Sequence, residues 1–402
     1  MQINTFAYAV MHGLWRSATE KSGCAQISTI VACLGVINIP YQSLIEANER
    51  FLQSAIIDIT TTFVKLGFVI YLVYYDGNSL RFYSVSVCIV TFISFILYHY
   101  YCHRSWYDVI KLHFYRDRDK YKEILSFNNY TALGAAATIG KSQGSTLLIN
   151  SFFGTAVNGA FAIAFQVESY IYMFVNKLTL ATNPQIAKNF SGGTLDRVNS
   201  LVEKNSRYSI LIMTIFFFTV TPEMNYILKI WLKNAPKEAT FLCILTMIDA
   251  LVKSFTEGTN GFIQASGKIK WFQLLSSFSL LLNLPFGYFL FKMGLQPYWI
   301  IISFIFTSVI YRLLSLWLMK ALLNFNVKEF VLSAYARPLI VISLLGVISL
   351  VLKNWIRVPG FSGVIGICTM GILSAILVFK IGLNNSEQKK FSNHIKLYFV
   401  KK

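Results

Sequence analysis

Charge is what this sequence has least of. Of its 402 residues, 13% are Asp, Glu, Lys or Arg and 55% are hydrophobic, against a charged share of about 25% in ordinary soluble domains. A water-soluble globule is therefore excluded. Acids are scarcer than bases: 18 Asp and Glu stand against 36 Lys and Arg, a formal net charge of +18. Cysteine is sparse too. Cys24, Cys33, Cys88, Cys102, Cys243 and Cys368 lie in or beside apolar runs and never approach CxxC spacing, which argues against zinc or a disulfide framework. They read as small apolar packing residues. His12, His99, His103, His113 and His394 sit near the ends of apolar runs or between them, and none has a catalytic or metal-ligating setting. The first twenty residues mix His12, Arg16 and Glu20 into a weakly apolar stretch, so no cleavable signal peptide is expected and insertion must rely on the spans.

Long apolar runs fill the rest. A bilayer needs about 20 such residues per helical span, and eleven runs of roughly that length recur. They lie near Cys24 to Ile45, Ser54 to Tyr75, Phe82 to Tyr101, Phe127 to Ile149, Val157 to Ala181 and Ser209 to Trp231, then Thr240 to Ile263, Trp271 to Phe291, Tyr298 to Met319, Pro338 to Leu352 and Phe361 to Ile381. The fold class that follows is an all-α polytopic membrane protein of about 11 transmembrane helices. The Phe127 run carries Gly134, Gly140, Lys141 and Gln143, and the run after Pro338 is short.

The basic excess raises nucleic acid as a partner, but that requires Lys and Arg clustered on one soluble face. Here they occupy short loops. With the loop after the first run in the cytoplasm, 22 Lys and Arg fall inside and nine outside. The positive-inside rule then places the C-terminus in the cytoplasm. An odd span count leaves the N-terminus outside, which hints at further helices upstream. The longest cytoplasmic connection, Cys102 to Ser126, holds the charged stretch Tyr115 to Glu123. Outside connections are short, so the protein's work is expected between its helices.

Four stretches, read in order, carry a resemblance. They are Ile39-Pro-Tyr-Gln-Ser-Leu-Ile-Glu-Ala-Asn-Glu-Arg-Phe51, Leu147-Leu-Ile-Asn-Ser-Phe-Phe-Gly-Thr-Ala-Val-Asn-Gly-Ala-Phe-Ala-Ile-Ala-Phe-Gln-Val167, Ala181-Thr-Asn-Pro-Gln-Ile-Ala-Lys-Asn-Phe-Ser-Gly-Gly193 and Gln264-Ala-Ser-Gly-Lys-Ile-Lys270. The ordered set resembles the polysaccharide (O-antigen type, Wzx-like) flippases of the multidrug/oligosaccharidyl-lipid/polysaccharide exporter superfamily. That resemblance implies a fourteen-helix, two-lobed fold, of which this sequence looks like helices four to fourteen. It implies a remnant of the N-terminal lobe at 1–101, a cytoplasmic linker at 102–126, a six-helix lobe at 127–320, a terminal helix pair at 321–381 and a basic tail at 382–402. It also implies residence in the bacterial inner membrane and movement of an undecaprenyl-pyrophosphate-linked oligosaccharide for surface polysaccharide synthesis. The partners implied are the lipid bilayer, the lipid-linked oligosaccharide, a polysaccharide polymerase and a chain-length regulator, with no nucleic acid.

Ionisable groups at bilayer depth cost at least about 2.5 to 3.5 kcal/mol each, so each is a candidate for lining a cavity. Lys65, Lys141, Lys177, Lys253 and Arg312 fall within runs and would suit the anionic head of a lipid-linked sugar; the plain alternative is snorkelling or pairing with an acid. Asp249, Lys253 and Glu257 recur at i, i+4 and i+8 on one helix face. Asp249 and Glu257 could couple a proton or sodium ion, or simply compensate Lys253. Asp58, seven residues before Lys65, is expected to pair with it. No cofactor is expected beyond the coupled ion. Gly140-Lys141-Ser142 resembles the end of a phosphate loop, but five residues instead of four separate Gly134 from Gly140, in an apolar run. Two other readings stay open: a drug/cation antiporter of the same superfamily, against which the intramembrane cations argue, and a polytopic enzyme of glycan assembly, which would call for a large outer loop or a buried histidine.

Overall fold

The computed structural model describes residues 18–75, 77–110, 117–232, 236, 238–355, 362–384 and 386–389. Residues 1–17, 76, 111–116, 233–235, 237, 356–361, 385 and 390–402 lie outside the described residues, and with them parts of the expected leading segment, linker, 233–237 loop, last run and basic tail.

The chain divides at Arg116 into two compact units. The first holds α1 (Ala18–Ala47), α2 (Phe51–Leu72), α3 (Ser79–Ser105) and the short α4 (Tyr107–Ile110). Asn78 caps α3 by accepting from the Arg81 amide at 3.1 Å, which satisfies one of the donors that a helix start leaves free. Pro40 sits within α1, where its missing amide leaves the Val36 carbonyl without its usual helical donor. Ile45, Ile57, Tyr98 and Cys102 form the buried core of this unit.

The second unit holds α5 (Arg118–Ser191), α6 (Leu195–Val220), α7 (Met224–Leu232), α8 (Ala239–Ala265), α9 (Ile269–Lys292), α10 (Trp299–Leu323), α11 (Val327–Ala334), α12 (Ala336–Trp355) and α13 (Ser362–Leu377), then a π-helical turn at Val378–Gly382. Among the described residues, nine helices of the whole chain are long and apolar enough to cross a membrane, or ten when the bent pair α6 and α7 counts as one. That pair bends by 73°, because Pro222, in the break, has no amide with which to continue α6. The 74 residues of α5 contain two of the predicted runs, divided at Gly154, whose φ of 80° and ψ of −178° suit glycine alone. Among the described residues, each of the eleven runs thus falls largely on helix.

Helix α8 is the spine of this unit: 56% of its membrane window is buried, and it packs on α5, α6 and α10. Gly258 and Gly261 let neighbours approach it closely. A Cβ at Gly258 would collide with Ser206 of α6, and one at Gly261 with Asn183 of α5. Small residues that bring backbones together drive helix association where no hydrophobic effect operates. Asn283 of α9 ties α9 to α10 by accepting from Thr307 Oγ1 at 3.0 Å and from Ser303 Oγ at 3.3 Å.

A buried charge cluster in the second unit

The site is built on α8. Its i, i+4 spacing places Asp249 and Lys253 on one face, and Lys253 Nζ lies 2.7 Å from Asp249 Oδ2. The same ammonium lies 2.8 Å from Glu168 Oε1, brought in by α5. Ser308 of α10 donates to Asp249 Oδ1 at 2.8 Å. Asp249 is 1% exposed and Glu168 7%, so both carboxylates would be costly without that cation. Lys141, also on α5 and 8% exposed, places its ammonium 3.8 Å from the centroid of the Phe304 ring, a cation–π contact strengthened by the absence of water.

Glu257, one turn beyond Lys253, does not join that cluster. Its Oε1 accepts from Tyr172 Oη at 2.8 Å. Arg312 of α10 stands apart in an aromatic setting. Its Nη1 donates to Thr259 Oγ1 at 2.9 Å and to Ser315 Oγ at 3.4 Å, and its guanidinium carbon lies 5.2 Å from the Tyr335 ring centroid and 6.0 Å from that of Phe330. Nε and Nη2 are buried without a partner. Among the described residues Arg312 has no ion pair.

The remaining candidates are not drawn in. Lys177 is exposed on α5. Lys65 is half-buried on α2 and, among the described residues, has neither hydrogen bond nor ion pair. The expected Asp58–Lys65 pair is not formed: Asp58 accepts instead from Tyr98 Oη at 2.9 Å, the same hydroxyl lying 3.0 Å from Ser54 Oγ. A seven-residue offset puts two side chains on one face but about 10 Å apart along the axis, and the phenol from α3 is nearer. An apolar groove of about 470 Å³ on the same helix is lined by Val64, Gly67, Phe68, Tyr71 and Phe82, without Lys65. Gly140-Lys141-Ser142 lies inside α5, where a phosphate loop has no room to form.

Two residues escaped the sequence reading. Glu168 stands inside the Val157 run, where any acid is a candidate by the same cost argument applied to the lysines; that signal was available and unused. Arg207, expected in a cytoplasmic loop, is 3% exposed within α6. There it pairs with Glu387 and donates to the Ser333 carbonyl at 3.3 Å. No sequence signal links positions so far apart.

With this geometry in hand, known proteins place the architecture. Residues 137–289 match the MatE family model. A solved structure described as MATE in the bent conformation aligns over 85% of this chain and 73% of its own, with a TM-score of 0.63 and 12% identity. The chain has a MATE transporter fold. No curated protein matches it. The matched stretch takes in Lys141 and Glu168 of α5, Asp249, Lys253 and Glu257 of α8, and Asn283, and it ends before Phe304, Ser308 and Arg312 of α10.

Proposed function

We propose that this chain translocates an undecaprenyl-pyrophosphate-linked oligosaccharide across the bacterial inner membrane, with its C-terminus in the cytoplasm, for O-antigen or capsule assembly. The observation that carries the reading is Arg312: a buried guanidinium with two free donors and no acid is suited to a phosphate or carboxylate, which a forked cation meets through paired hydrogen bonds. Lys141, held by a ring instead of an acid, adds a second available charge. The MatE match supports transport as the class of activity, and the four ordered stretches support a glycolipid cargo. A polymerase and a chain-length regulator act on the product. Coupling to a proton or sodium gradient falls to Glu257 and Asp58, which meet phenols instead of cations.

Deleting the full-length gene is expected to accumulate lipid-linked repeat units on the cytoplasmic face and to remove the surface glycan. Normal glycan export in that strain, with no redundant transporter, sinks the assignment. Tags after Lys122, Gly193, Lys270 and Lys402 are expected to report cytoplasm, and a tag within 233–237 the outside.

One observation favours a second reading, a drug/cation antiporter. Lys141, Lys253 and Arg312 are matched in number by Glu168, Asp249 and Glu257, so the second unit carries no excess of buried cations to repel a cationic drug. Raised drug tolerance on expression, with glycan unchanged, would select that reading.

A further inference from the structure

Two carboxylates from different helices converge on one ammonium, and a hydroxyl from a third helix orients one of them. Lys253 Nζ has Asp249 Oδ2 at 2.7 Å and Glu168 Oε1 at 2.8 Å, while Ser308 holds the far oxygen of Asp249. Glu168 Oε2 is buried with no hydrogen-bond partner, so the oxygen set is not exhausted by the lysine. Carboxylate oxygens are the donors that hard cations take. The Lys253 ammonium carries one positive charge, so an ion that replaces it without changing the charge of the centre is monovalent. An approach route exists as well, because the Lys253 side chain keeps 32% exposure while those of Asp249 and Glu168 keep 1% and 9%.

We propose that Asp249 and Glu168, the first oriented by Ser308, form a monovalent-cation site that the chain fills from within, the Lys253 ammonium standing where a diffusible ion would bind. This centre then exchanges no ion with the bulk, and any gradient dependence of transport arises elsewhere. The proposal goes beyond the cargo assignment and does not depend on it.

Thermal unfolding of the purified full chain in detergent tests it, in sodium, potassium, methylammonium or choline chloride at equal ionic strength. The native protein is expected to unfold at one temperature in all four salts. Lys253→Ala is expected to unfold lower in choline and to recover several degrees in sodium, potassium or methylammonium, because an ion that binds only the folded state stabilises it. Adding Asp249→Asn to Lys253→Ala is expected to erase that recovery. Lys253→Met, which keeps the length of the stem, is the second variant. A sodium-specific rise in the native protein that Asp249→Asn abolishes overturns the proposal. So does equal unfolding of both Lys253 variants in all four salts. Failure of both variants to accumulate even in sodium overturns it too, since a vacated site is expected to refill. Glycan export is not read in this assay, so either outcome leaves the flippase reading where the deletion strain puts it.

Discussion

Lys253 and Arg312 are both cations inside apolar spans of one unit, and their surroundings are opposite. Lys253 is held by two carboxylates. Arg312 is held by two hydroxyls and two aromatic rings, with two donors left over. The difference teaches that mid-span charge by itself says little about role: one cation is matched by two acids, and the other keeps buried donors that no described group meets. Truncation separates them. Removing one partner of a buried pair strands its opposite and typically costs about 3–5 kcal/mol, whereas removing an unpaired cation relieves an insertion cost.

The largest expected effect is therefore on Lys253. In choline chloride, purified Lys253→Ala is expected to unfold well below the native chain while Arg312→Ala does not, read by thermal unfolding in detergent. An equal drop in both would erase the contrast. Next comes the helix spine. Gly258→Val is expected to destabilise the chain by about 2 kcal/mol or more, since overpacking costs roughly 1–3 kcal/mol and the obstruction includes the Ser206 backbone; the unfolding midpoint reads it.

A finer cut lies between the two glutamates. Glu168→Gln removes one of the two negative charges that hold the Lys253 ammonium, whereas Glu257→Gln keeps an oxygen that can accept from Tyr172, so Glu168→Gln is expected to lower the unfolding temperature more. The reverse order would mean that Lys253 draws its stabilisation from Asp249 alone. Smallest is Tyr335→Phe, which removes the 2.7 Å donation to the Phe255 carbonyl but keeps the ring over Arg312. It is expected to cost about 1 kcal/mol and to leave transport unchanged.

The spans were legible because a bilayer sets one length and one composition for each. Gly154 lies in the gap between two predicted runs, and the structure turns that gap into a break within a single helical stretch. The Asp249–Lys253 pair was legible because both lie on one helix, where spacing fixes distance. Glu168 and Ser308 were not, since they reach the pair across helix–helix contacts that sequence spacing does not encode. Asp58 and Lys65 fail for the converse reason: a shared face fixed direction but not distance, and Tyr98 from the next helix took the acid. Arg207 counted as a loop charge until packing brought Glu387 to it.

Translocation of a lipid-linked oligosaccharide by purified protein in proteoliposomes, comparing native, Arg312→Lys and Arg312→Gln chains at equal reconstituted amounts, tests the central claim most directly. The account predicts active native protein, reduced activity in Arg312→Lys because an ammonium lacks the fork, and little or none in Arg312→Gln. Full translocation by Arg312→Gln would contradict it.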